Sequence, residues 1–400
     1  MTRREILALY LAAVNGRAAT NEPRDYPQWR GQSRDGSASA FIEPDVWPEA
    51  LKHRWQVDVG EGYGTPLVIG NTVYVFVRRG DKEVMAALSA STGRELWHAG
   101  YAAPYTPFDA AAAHGAGPKA TPAFRDGKLF TLGINGIVSA FDAAAGKLLW
   151  RTDDPPEHAL FGAASSPVAE AGLVITHPGN YGPLTAFDAE TGTAKWTAGE
   201  QGFFSAPLVA DLAGTRQVIS MTLSEVIGVS LADGRLLWRY PWSGGQGGIT
   251  PVVNGDTVIV SSRGSGVAAF RPTTSEQPET VWETKEVSMY ISNPVVVADT
   301  LFGLTHLARN QYFALDAKTG EVLWLGPPRQ ADNTAVVKAG NILFLLNDNS
   351  ELIVAEASSS GFKPLRTSVV ADSPTWAQPV ITGNRIFVKD VASLTLKTLD

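Results

Sequence analysis

Short stretches dense in apolar and β-branched residues recur along the whole chain. Residues 72–77 (TVYVFV), 258–260 (VIV) and 342–346 (ILFLL) are examples, and this composition and a period of two are typical of β-strands. Turn dipeptides separate such stretches at Gly70-Asn71, Asp126-Gly127, Asn254-Gly255 and Gly383-Asn384. Because these residue types tolerate the positive φ angles of tight hairpins, the pattern predicts many short antiparallel strands.

Two phrases repeat in phase along the chain. An Asp-x-x-Thr-Gly-x-x-x-Trp phrase and its variants end at Trp97, Trp150, Trp196, Trp238 and Trp324, and Trp282 ends a looser copy. A small or polar residue, a proline and an apolar run recur at Pro66, Pro122, Pro167, Pro207, Pro251, Pro294 and Pro379, with Ala335 in the remaining place. The second phrase returns every 40 to 56 residues, which predicts eight units of four strands, A to D.

Eight four-stranded sheets bury their faces when they stack radially, so we predict an all-β fold, an eight-bladed β-propeller of four-stranded antiparallel blades. The regular tryptophans are expected to fill the wedges between blades, although a stacking platform for a ligand is the alternative. The last unit lacks a Trp phrase and has three strands. Residues 54–59 (RWQVDV) have the pattern of an outer strand with no unit before them, so this N-terminal strand around Trp55 is predicted to close the ring.

The N-terminus carries a pattern typical of export signals. Arg3 and Arg4 precede a short apolar run at residues 6–14 (ILALYLAAV), and Ala18 ends a plausible cleavage site. The twin arginines also resemble a twin-arginine signal. We therefore expect a signal peptide at residues 1–18, an N-terminal strap at 19–50 and a single propeller at 51–400, with a periplasmic or secreted location.

Composition excludes several classes of function. The chain has no cysteine, so disulfides, thiolate metal sites, a cysteine nucleophile and a bacterial lipid anchor are not expected. A net charge of -7 without a basic stretch gives no basis for binding nucleic acid. No apolar run beyond the N-terminus is long enough to predict a membrane span.

The Trp phrase resembles the repeat of the PQQ-repeat (quinoprotein-like) β-propeller family. That family includes quinoprotein alcohol dehydrogenases and BamB-type outer-membrane assembly proteins, and the resemblance runs from about Trp55 to Leu396. Residues 25–36 (DYPQWRGQSRDG) resemble an N-terminal motif found on secreted PQQ-like propellers. The resemblance implies an eight-bladed fold and, in the enzymes, pyrroloquinoline quinone over the central channel. Their site adds Ca²⁺ held by Glu, Asn and Asp, a catalytic Asp, a Trp floor and a disulfide between adjacent cysteines.

In a propeller with strand A innermost, the D-to-A and B-to-C loops share one rim. The candidate ligand or partner residues on this rim are His114, Lys119, His177, Asn180, Tyr181, Trp242, Arg263, His306, Arg309, Asn310, Asp348 and Trp376. Lys119, Arg263 and Arg309 would suit an anion, but a solvated rim explains the same residues. Calcium would have to use Glu225, Asp348, Asn180 and Asn310, which lie in four different blades, and the scattered histidines argue against zinc. No metal site or catalytic residue is predicted.

We therefore expect an exported, non-catalytic scaffold, monomeric, that binds a protein or peptide of the cell envelope through its rim. No cofactor is expected. One alternative is a dehydrogenase dependent on pyrroloquinoline quinone and calcium. A second alternative is a small-molecule or glycan sensor, in which Trp242 and Trp376 would stack on a sugar.

Overall fold

The protein is described by a computed structural model that covers residues 24–202, 204–242, 247–307 and 309–400. In this part of the chain, 32 strands form eight four-stranded antiparallel sheets arranged as a propeller, and the one helix is a 3₁₀-helix at Asp109–His114. The predicted all-β, eight-bladed fold is confirmed. The expected signal peptide lies outside the described residues. None of the helices in the described part of the chain has the length and hydropathy needed to cross a membrane.

Strands are numbered along the chain, and β1 (Lys52–Asp58) comes first. Blade 1 contains β2 (Leu67–Ile69), β3 (Thr72–Arg79), β4 (Lys82–Ser89) and β5 (Glu95–Ala102). Blade 2 contains β6 (Ala123–Arg125), β7 (Lys128–Leu132), β8 (Val138–Asp142) and β9 (Leu148–Arg151). Blade 3 contains β10 (Val168–Glu170), β11 (Leu173–Thr176), β12 (Pro183–Asp188) and β13 (Ala194–Gln201). Blade 4 contains β14 (Leu208–Leu212), β15 (Thr215–Met221), β16 (Glu225–Ser230) and β17 (Leu236–Pro241).

The second half of the chain continues the same order. Blade 5 contains β18 (Val252–Asn254), β19 (Thr257–Ser262), β20 (Gly266–Arg271) and β21 (Glu279–Thr284). Blade 6 contains β22 (Val295–Val297), β23 (Thr300–Thr305), β24 (Gln311–Asp316) and β25 (Val322–Leu325). Blade 7 contains β26 (Thr334–Ala339), β27 (Ile342–Asn347), β28 (Glu351–Glu356) and β29 (Lys363–Val369). Blade 8 contains β30 (Val380–Thr382), β31 (Arg385–Lys389) and β32 (Ser393–Thr398), and β1 is its outer strand.

The repeated tryptophans pack between blades, as predicted. The Trp150 ring of blade 2 lies against Gly192 in the turn before the outer strand of blade 3, and its Nε1 donates to the Ala189 oxygen at 2.9 Å. Gly192 has a φ of 73°, and a Cβ there would meet the indole ring at 2.6 Å. The glycine of the phrase therefore supplies both the left-handed turn and the space for the neighbouring ring.

The N-terminal strand closes the ring in the same way. β1 pairs with β32 in antiparallel register, with Trp55 opposite Leu396. The indole of Trp55 donates to the Ala90 oxygen at 3.1 Å and lies against Gly93, both in blade 1. The predicted closure around Trp55 is confirmed, because this contact repeats the contact between internal blades.

The first described residues lie inside the central channel. Residues 24–39 enter beside the A-to-B turns, reach the other end of the channel near Trp29, and return to the entry side at Ser39. Among the described residues, this segment hydrogen-bonds to seven of the eight blades, through Val68 and Gly70, Phe124, Ser166 and Pro167, Thr250, Pro294, Lys338, and Gln378 and Ile381. Residues 24–39, the first described part of the expected strap, therefore form a plug in the channel.

Residues 38–51 continue from the plug to blade 8. Phe41 and Trp47 pack against Phe344 of blade 7, with ring centroids 5.3 Å and 6.3 Å from its ring. The Arg366 side chain donates to the backbone oxygens of Trp47 and Pro48. The segment thus joins the channel interior to the ring-closing strand.

Candidate binding site at the channel mouth

A cavity of about 360 Å³ lies at the end of the channel where the D-to-A loops meet. Trp29 at the tip of the plug forms its floor together with residues that directly precede the inner strands, such as Ser166, Thr250 and Asn293. The remaining lining residues are Tyr63, Ala110, Ala111, His114, Lys119, Phe161, Ala164, Phe204, Ala206, Gly248, Tyr290, Ile291, Asn333 and Trp376. Its volume falls within the usual range of binding cavities, about 300–1,000 Å³.

Polar residues before the inner strands form hydrogen bonds from blade to blade beneath the cavity. The Thr121 Oγ1 accepts from the Thr65 N–H at 3.0 Å, and the Ser166 Oγ accepts from the Thr121 N–H at 2.9 Å. On the other side of the channel, the Asn293 Oδ1 accepts from the Thr250 N–H at 2.7 Å. These bonds explain why a small polar residue so often precedes the proline of the repeat.

The floor of the cavity is held by the plug. The Trp29 Nε1 donates to the Thr250 Oγ1 at 3.0 Å, and the flanking segment turns sharply at Arg30 and Arg34. Both arginines have positive φ angles, 62° and 54°, which side-chain-bearing residues seldom adopt. Their bonds to the blades hold this backbone in place and leave the Trp29 ring facing the cavity.

Two buried guanidinium groups lie just beneath the floor. Arg34 donates from Nη1 to the Pro167 oxygen and from Nη2 to the Ser166 oxygen, each at 3.0 Å, and Arg30 donates to the Pro294 oxygen at 2.6 Å. Burial lowers the pKa of Arg30 to about 10 and that of Arg34 to about 9, so both remain charged at neutral pH. The nearby Asp35 is paired with Lys338 at 2.8 Å. The Arg30 Nη1 and Arg34 Nε atoms are buried and have no hydrogen-bond partner in the described part of the chain.

The cavity wall is mainly aromatic. His114 and Trp376 meet edge to face with ring centroids 4.6 Å apart, and Tyr63 contacts both rings. On the opposite wall, Phe161 and Phe204 meet at 6.3 Å. Such surfaces favour apolar and planar ligand groups.

Lys119 supplies a positive charge within the wall. Its Nζ donates to the Phe161 backbone oxygen at 2.6 Å, which leaves further N–H groups for a ligand. Burial lowers the pKa of Lys119 to about 8, and burial together with the charge of Lys119 lowers the pKa of His114. Among the described lining residues there is no Asp or Glu. The cavity is therefore rich in hydrogen-bond donors and biased toward anions.

The structure brings only some of the predicted rim residues together. His114, Lys119 and Trp376 line the cavity. Tyr181 supports its wall, because its hydroxyl accepts a hydrogen bond from the Phe161 N–H at 3.0 Å. Arg263 lies over the ring of Tyr290 at 5.2 Å, and the His306 Nδ1 accepts from the Tyr290 N–H at 3.1 Å. Tyr181, Arg263 and His306 thus shape the site from outside.

Other predicted rim residues lie elsewhere. Trp242 is expected near the mouth from the sequence, but it is buried between blades 4 and 5 and donates to the Ser262 Oγ at 2.9 Å, so it offers no face to a ligand. His177 is also buried, between the Gly182 oxygen at 2.9 Å and the Ser220 Oγ at 2.7 Å. Arg309 is exposed and does not line the cavity.

The residues considered for calcium do not converge. Asn180 donates to Glu157, Asn310 donates to Asp332, and the Asp348 carboxylate accepts from the Asp332 and Asn333 N–H groups. Glu225 lies 3.9 Å from Arg239. Within the described ranges, no group of three or more His, Cys, Asp or Glu side chains could hold a metal ion.

The residues of the enzymes' quinone site have few counterparts here. Trp29 forms the floor of the cavity, and Asn293 and Asn333 offer amides. No described lining residue provides the carboxylates that Ca²⁺ or a catalytic base requires, and the chain has no cysteine for the disulfide. The residues present therefore do not fit a calcium–quinone centre.

Sequence reasoning missed Trp29, Phe161, Phe204, Tyr290, Asn293 and Asn333 as cavity residues. The positions just before the inner strands carried a usable signal, because the phased proline marks them and all eight converge on the channel. Trp29 carried a weaker signal, because it lies in the N-terminal motif at residues 25–36.

Comparison with known proteins identifies a matching family and several relatives of this chain. The family model described as outer membrane protein assembly factor BamB matches residues 80–325. A quinone-dependent alcohol dehydrogenase subunit of Komagataeibacter europaeus is 24% identical over 372 residues, covering 79% of this chain and 48% of that protein. BamB of Shewanella oneidensis is 25% identical over 258 residues, covering 58% of this chain and 62% of that protein. The chain thus spans about half the length of the first curated relatives it matches.

Solved structures share the fold. The crystal structure of BamB from Moraxella catarrhalis superposes with a TM-score of 0.65 at 16% identity, over 87% of this chain and 98% of that chain. A quinohemoprotein alcohol dehydrogenase from Pseudomonas putida superposes with a TM-score of 0.70 at 14% identity, over 94% of this chain and 80% of that chain. At these identities the likeness shows the propeller architecture alone.

Proposed function

Because the chain belongs to the PQQ-repeat β-propeller family described as outer membrane protein assembly factor BamB, we propose that it is a non-catalytic scaffold that binds proteins of the cell envelope. The loop rim around the cavity is its binding face. The observation that carries this proposal is an apolar rim around a cavity in which no described lining residue is a carboxylate. Its proposed location is the periplasm or the exterior of the cell.

Large apolar side chains stand exposed on the rim. Phe108, Leu160 and Leu223 are 44%, 52% and 39% exposed. They come from the loops between blades 1 and 2, between blades 2 and 3, and from the B-to-C turn of blade 4. Exposed apolar side chains gathered around a cavity mark a surface that a partner covers.

The rim loops hold these side chains in place. The ring of Phe108 meets that of Phe161 edge to face at 5.8 Å, and the Tyr105 hydroxyl donates to the backbone oxygens of Ala159 and Leu160 at 3.0 Å and 3.1 Å. Because the surface is formed before binding, little conformational entropy is lost when a partner docks.

The lack of a carboxylate among the described lining residues supports binding over catalysis. General acid–base chemistry and calcium binding both rely on groups that the described wall does not supply, apart from His114 and Lys119. The relatives that are quinone-dependent dehydrogenases and the Trp29 floor favour the alternative of an enzyme. That alternative requires dye reduction by alcohols when pyrroloquinoline quinone and Ca²⁺ are added, and the scaffold proposal expects none.

A photo-crosslinking experiment tests the proposal in the native cell envelope. A benzoylphenylalanine side chain is placed at Leu160 or Phe108 on the rim, and at Asn71 or Asp126 in turns on the opposite face. We expect a discrete crosslinked species from the rim positions, and its yield should fall several-fold in a Phe108→Ser variant crosslinked from position 160.

The controls at Asn71 and Asp126 show whether crosslinking is specific to the rim. Equal crosslinking from both faces, or crosslinks from the opposite face alone, would contradict a rim-mediated scaffold. No crosslinked species from any position would also contradict it, provided that the variants accumulate at the level of the native chain.

A further inference from the structure

The cavity at the channel mouth offers hydrogen-bond donors that the protein itself leaves unused. The Trp376 indole N–H and the Asn333 side-chain amide have no protein acceptor among the described residues, and the Lys119 ammonium group uses one of its three N–H groups on the Phe161 oxygen. None of these donors belongs to the fully buried side-chain atoms, so they are accessible from the cavity to a ligand that supplies acceptors.

The charge around the cavity is positive. Lys119 lies in the wall, and the buried guanidinium groups of Arg30 and Arg34 lie under the floor through their bonds to Ser166, Pro167 and Pro294. No described lining residue is acidic. An anionic group entering the cavity therefore meets Lys119 and no carboxylate of the described wall, and the nearest acidic groups, Glu61 and Asp390, act on Tyr63 from outside the lining.

The remaining wall is apolar and planar. The edge-to-face cluster of Tyr63, His114 and Trp376 stands opposite Phe161 and Phe204, above the ring of Trp29. A ligand that matches both properties carries an aromatic or bulky apolar group beside a carboxylate.

The surroundings of the cavity indicate that this ligand is part of a larger molecule. The exposed side chains of Phe108 and Leu160 border the same mouth, and Phe108 touches Phe161 of the cavity wall. A small free anion would fill the cavity and leave this apolar border in water. A peptide that continues over the rim would cover both.

We propose that the cavity receives a short peptide segment of the partner protein, in which an aromatic or bulky apolar side chain enters the cavity and an adjacent carboxylate pairs with Lys119. This inference rests on the proposed scaffold function and specifies what the scaffold recognises. Deeply inserted anchors of this kind commonly carry much of the energy of an interface.

The test selects peptides from a random twelve-residue display library on the folded chain and on three variants. Lys119→Met removes the charge, Lys119→Arg keeps it, and Lys147→Met removes an exposed lysine on the opposite face as a matched control. Thermal melting of each variant shows whether it is folded, and one synthetic peptide from the enriched pool is titrated by calorimetry.

We expect enriched sequences that place Asp or Glu within a few positions of Phe, Tyr, Trp or Leu. The synthetic peptide should bind the native chain roughly tenfold or more tightly than the Lys119→Met variant, because the ion pair is lost from a partly desolvated site. The Lys147→Met variant should bind with the native affinity, and the Lys119→Arg variant, which keeps the charge, should bind more tightly than Lys119→Met.

Three results would overturn the inference. These are no enrichment, enrichment that is indifferent to Lys119→Met, and saturable binding of free pyrroloquinoline quinone without acidic peptides. The crosslinking result at Leu160 is independent of this selection. A partner crosslinked from the rim together with a failed selection would leave the scaffold function standing and remove only its peptide specificity.

Discussion

Single glycines make room for most of the indole rings of the repeat. Gly146 has a φ of 70°, and a Cβ there would overlap the Trp97 ring of the preceding blade. The looser phrase of blade 5, residues 271–282, has no glycine, and the Trp238 ring of the preceding blade turns to its own sheet. There its indole N–H donates to the Gln217 Oε1 and its ring fills the space beside Gly228. Where the phrase has no glycine, the indole N–H thus bonds within its own blade, although the ring still meets Phe270 of blade 5 at 5.5 Å.

His177 connects blades 3 and 4 as a neutral imidazole. Its Nδ1 faces the Gly182 oxygen and its Nε2 faces the Ser220 Oγ, a pair of contacts that one neutral tautomer satisfies. Burial lowers the pKa of His177 to about 4, although the bond to Gly182 opposes the shift. In the unfolded chain a histidine has a pKa of about 6.5.

The pKa of His177 predicts a loss of stability in acid. Because the folded pKa lies below the unfolded one, its contribution is fully present above about pH 6.5 and falls as the pH drops toward 4. From pH 7 to pH 5 the native chain should lose roughly 2 kcal/mol through this group. In the His177→Gln variant, the loss of unfolding free energy between pH 7 and pH 5 should be smaller than in the native chain by this amount, whatever the stability of the variant at pH 7. Urea unfolding at both pH values measures the two losses.

The control for this experiment is His53→Gln, which removes an exposed histidine of β1. It should show the same difference between pH 7 and pH 5 as the native chain. If the two glutamine variants behave alike, His177 does not sit in the neutral, buried state described here.

At the scale of the element, β1 is the strand that makes the ring closed. Gln56 opposite Thr395 in blade 8 and Thr197 opposite Thr185 in blade 3 occupy equivalent places, one residue after Trp55 and Trp196. The two pairs have the same local strand pairing. Gln56 and Thr395 join the two ends of the propeller, whereas Thr185 and Thr197 join the two strands of one hairpin. Comparing them therefore separates the effect of ring closure from the effect of strand pairing.

Engineered disulfides at these two places should differ in their effect. Opposed residues of antiparallel strands lie within reach of a disulfide, and the chain has no cysteine to compete. The Gln56→Cys/Thr395→Cys bridge closes a loop of about 340 residues and the Thr197→Cys/Thr185→Cys bridge one of about 13, so chain entropy favours the first by about 3 kcal/mol. Urea unfolding with and without reductant measures the difference, and failure of the first pair to oxidise would show that β1 does not pair with β32.

Phased repeats made the blades predictable, because each unit carries its own local signals for strands, turns and the Trp contact. The cavity was harder, since its residues come from loops of different blades that meet only when the ring is closed. His114, Lys119 and Trp376 were found through the topology of the rim. Trp242 was misplaced because the sequence does not show which way an aromatic side chain at the end of an outer strand turns. In the structure it turns inward to Ser262 and not outward to solvent.

At the scale of the whole molecule, the N-terminal segment unites the ring and the cavity. Tyr26 is fully buried against blade 1, and its hydroxyl donates to the Gln378 Oε1 of blade 8 at 3.2 Å. The same segment fills the channel and carries the Trp29 floor. Its backbone has no periodic pattern, so the sequence showed only that it resembles a motif of related propellers and not that it enters the channel.

A chain that begins at Leu51 should keep the propeller and lose the plug. β1 and its contact with blade 1 remain, so we expect an unchanged far-ultraviolet circular dichroism spectrum. Removing the buried Tyr26 and the partly buried Trp29, Phe41 and Trp47 should lower the free energy of unfolding by several kcal/mol, at about 1.5–3 kcal/mol for a fully buried large apolar side chain.

Hydrogen exchange locates the effect of the truncation. The Val68 N–H donates to the Tyr26 oxygen and the Phe124 N–H to the Pro27 oxygen, so both amides should exchange faster in the truncated chain. Val75 in β3 lies opposite Ala86 in the ladder between β3 and β4, and its amide serves as the internal reference. If Val68 and Phe124 stay as protected as Val75, the segment does not occupy the channel in solution, and the floor of the cavity must be formed without Trp29. If both amides exchange faster in the truncated chain, the N-terminal segment both seals the channel and completes the binding site. The cavity then exists only in a chain whose N-terminal plug is intact.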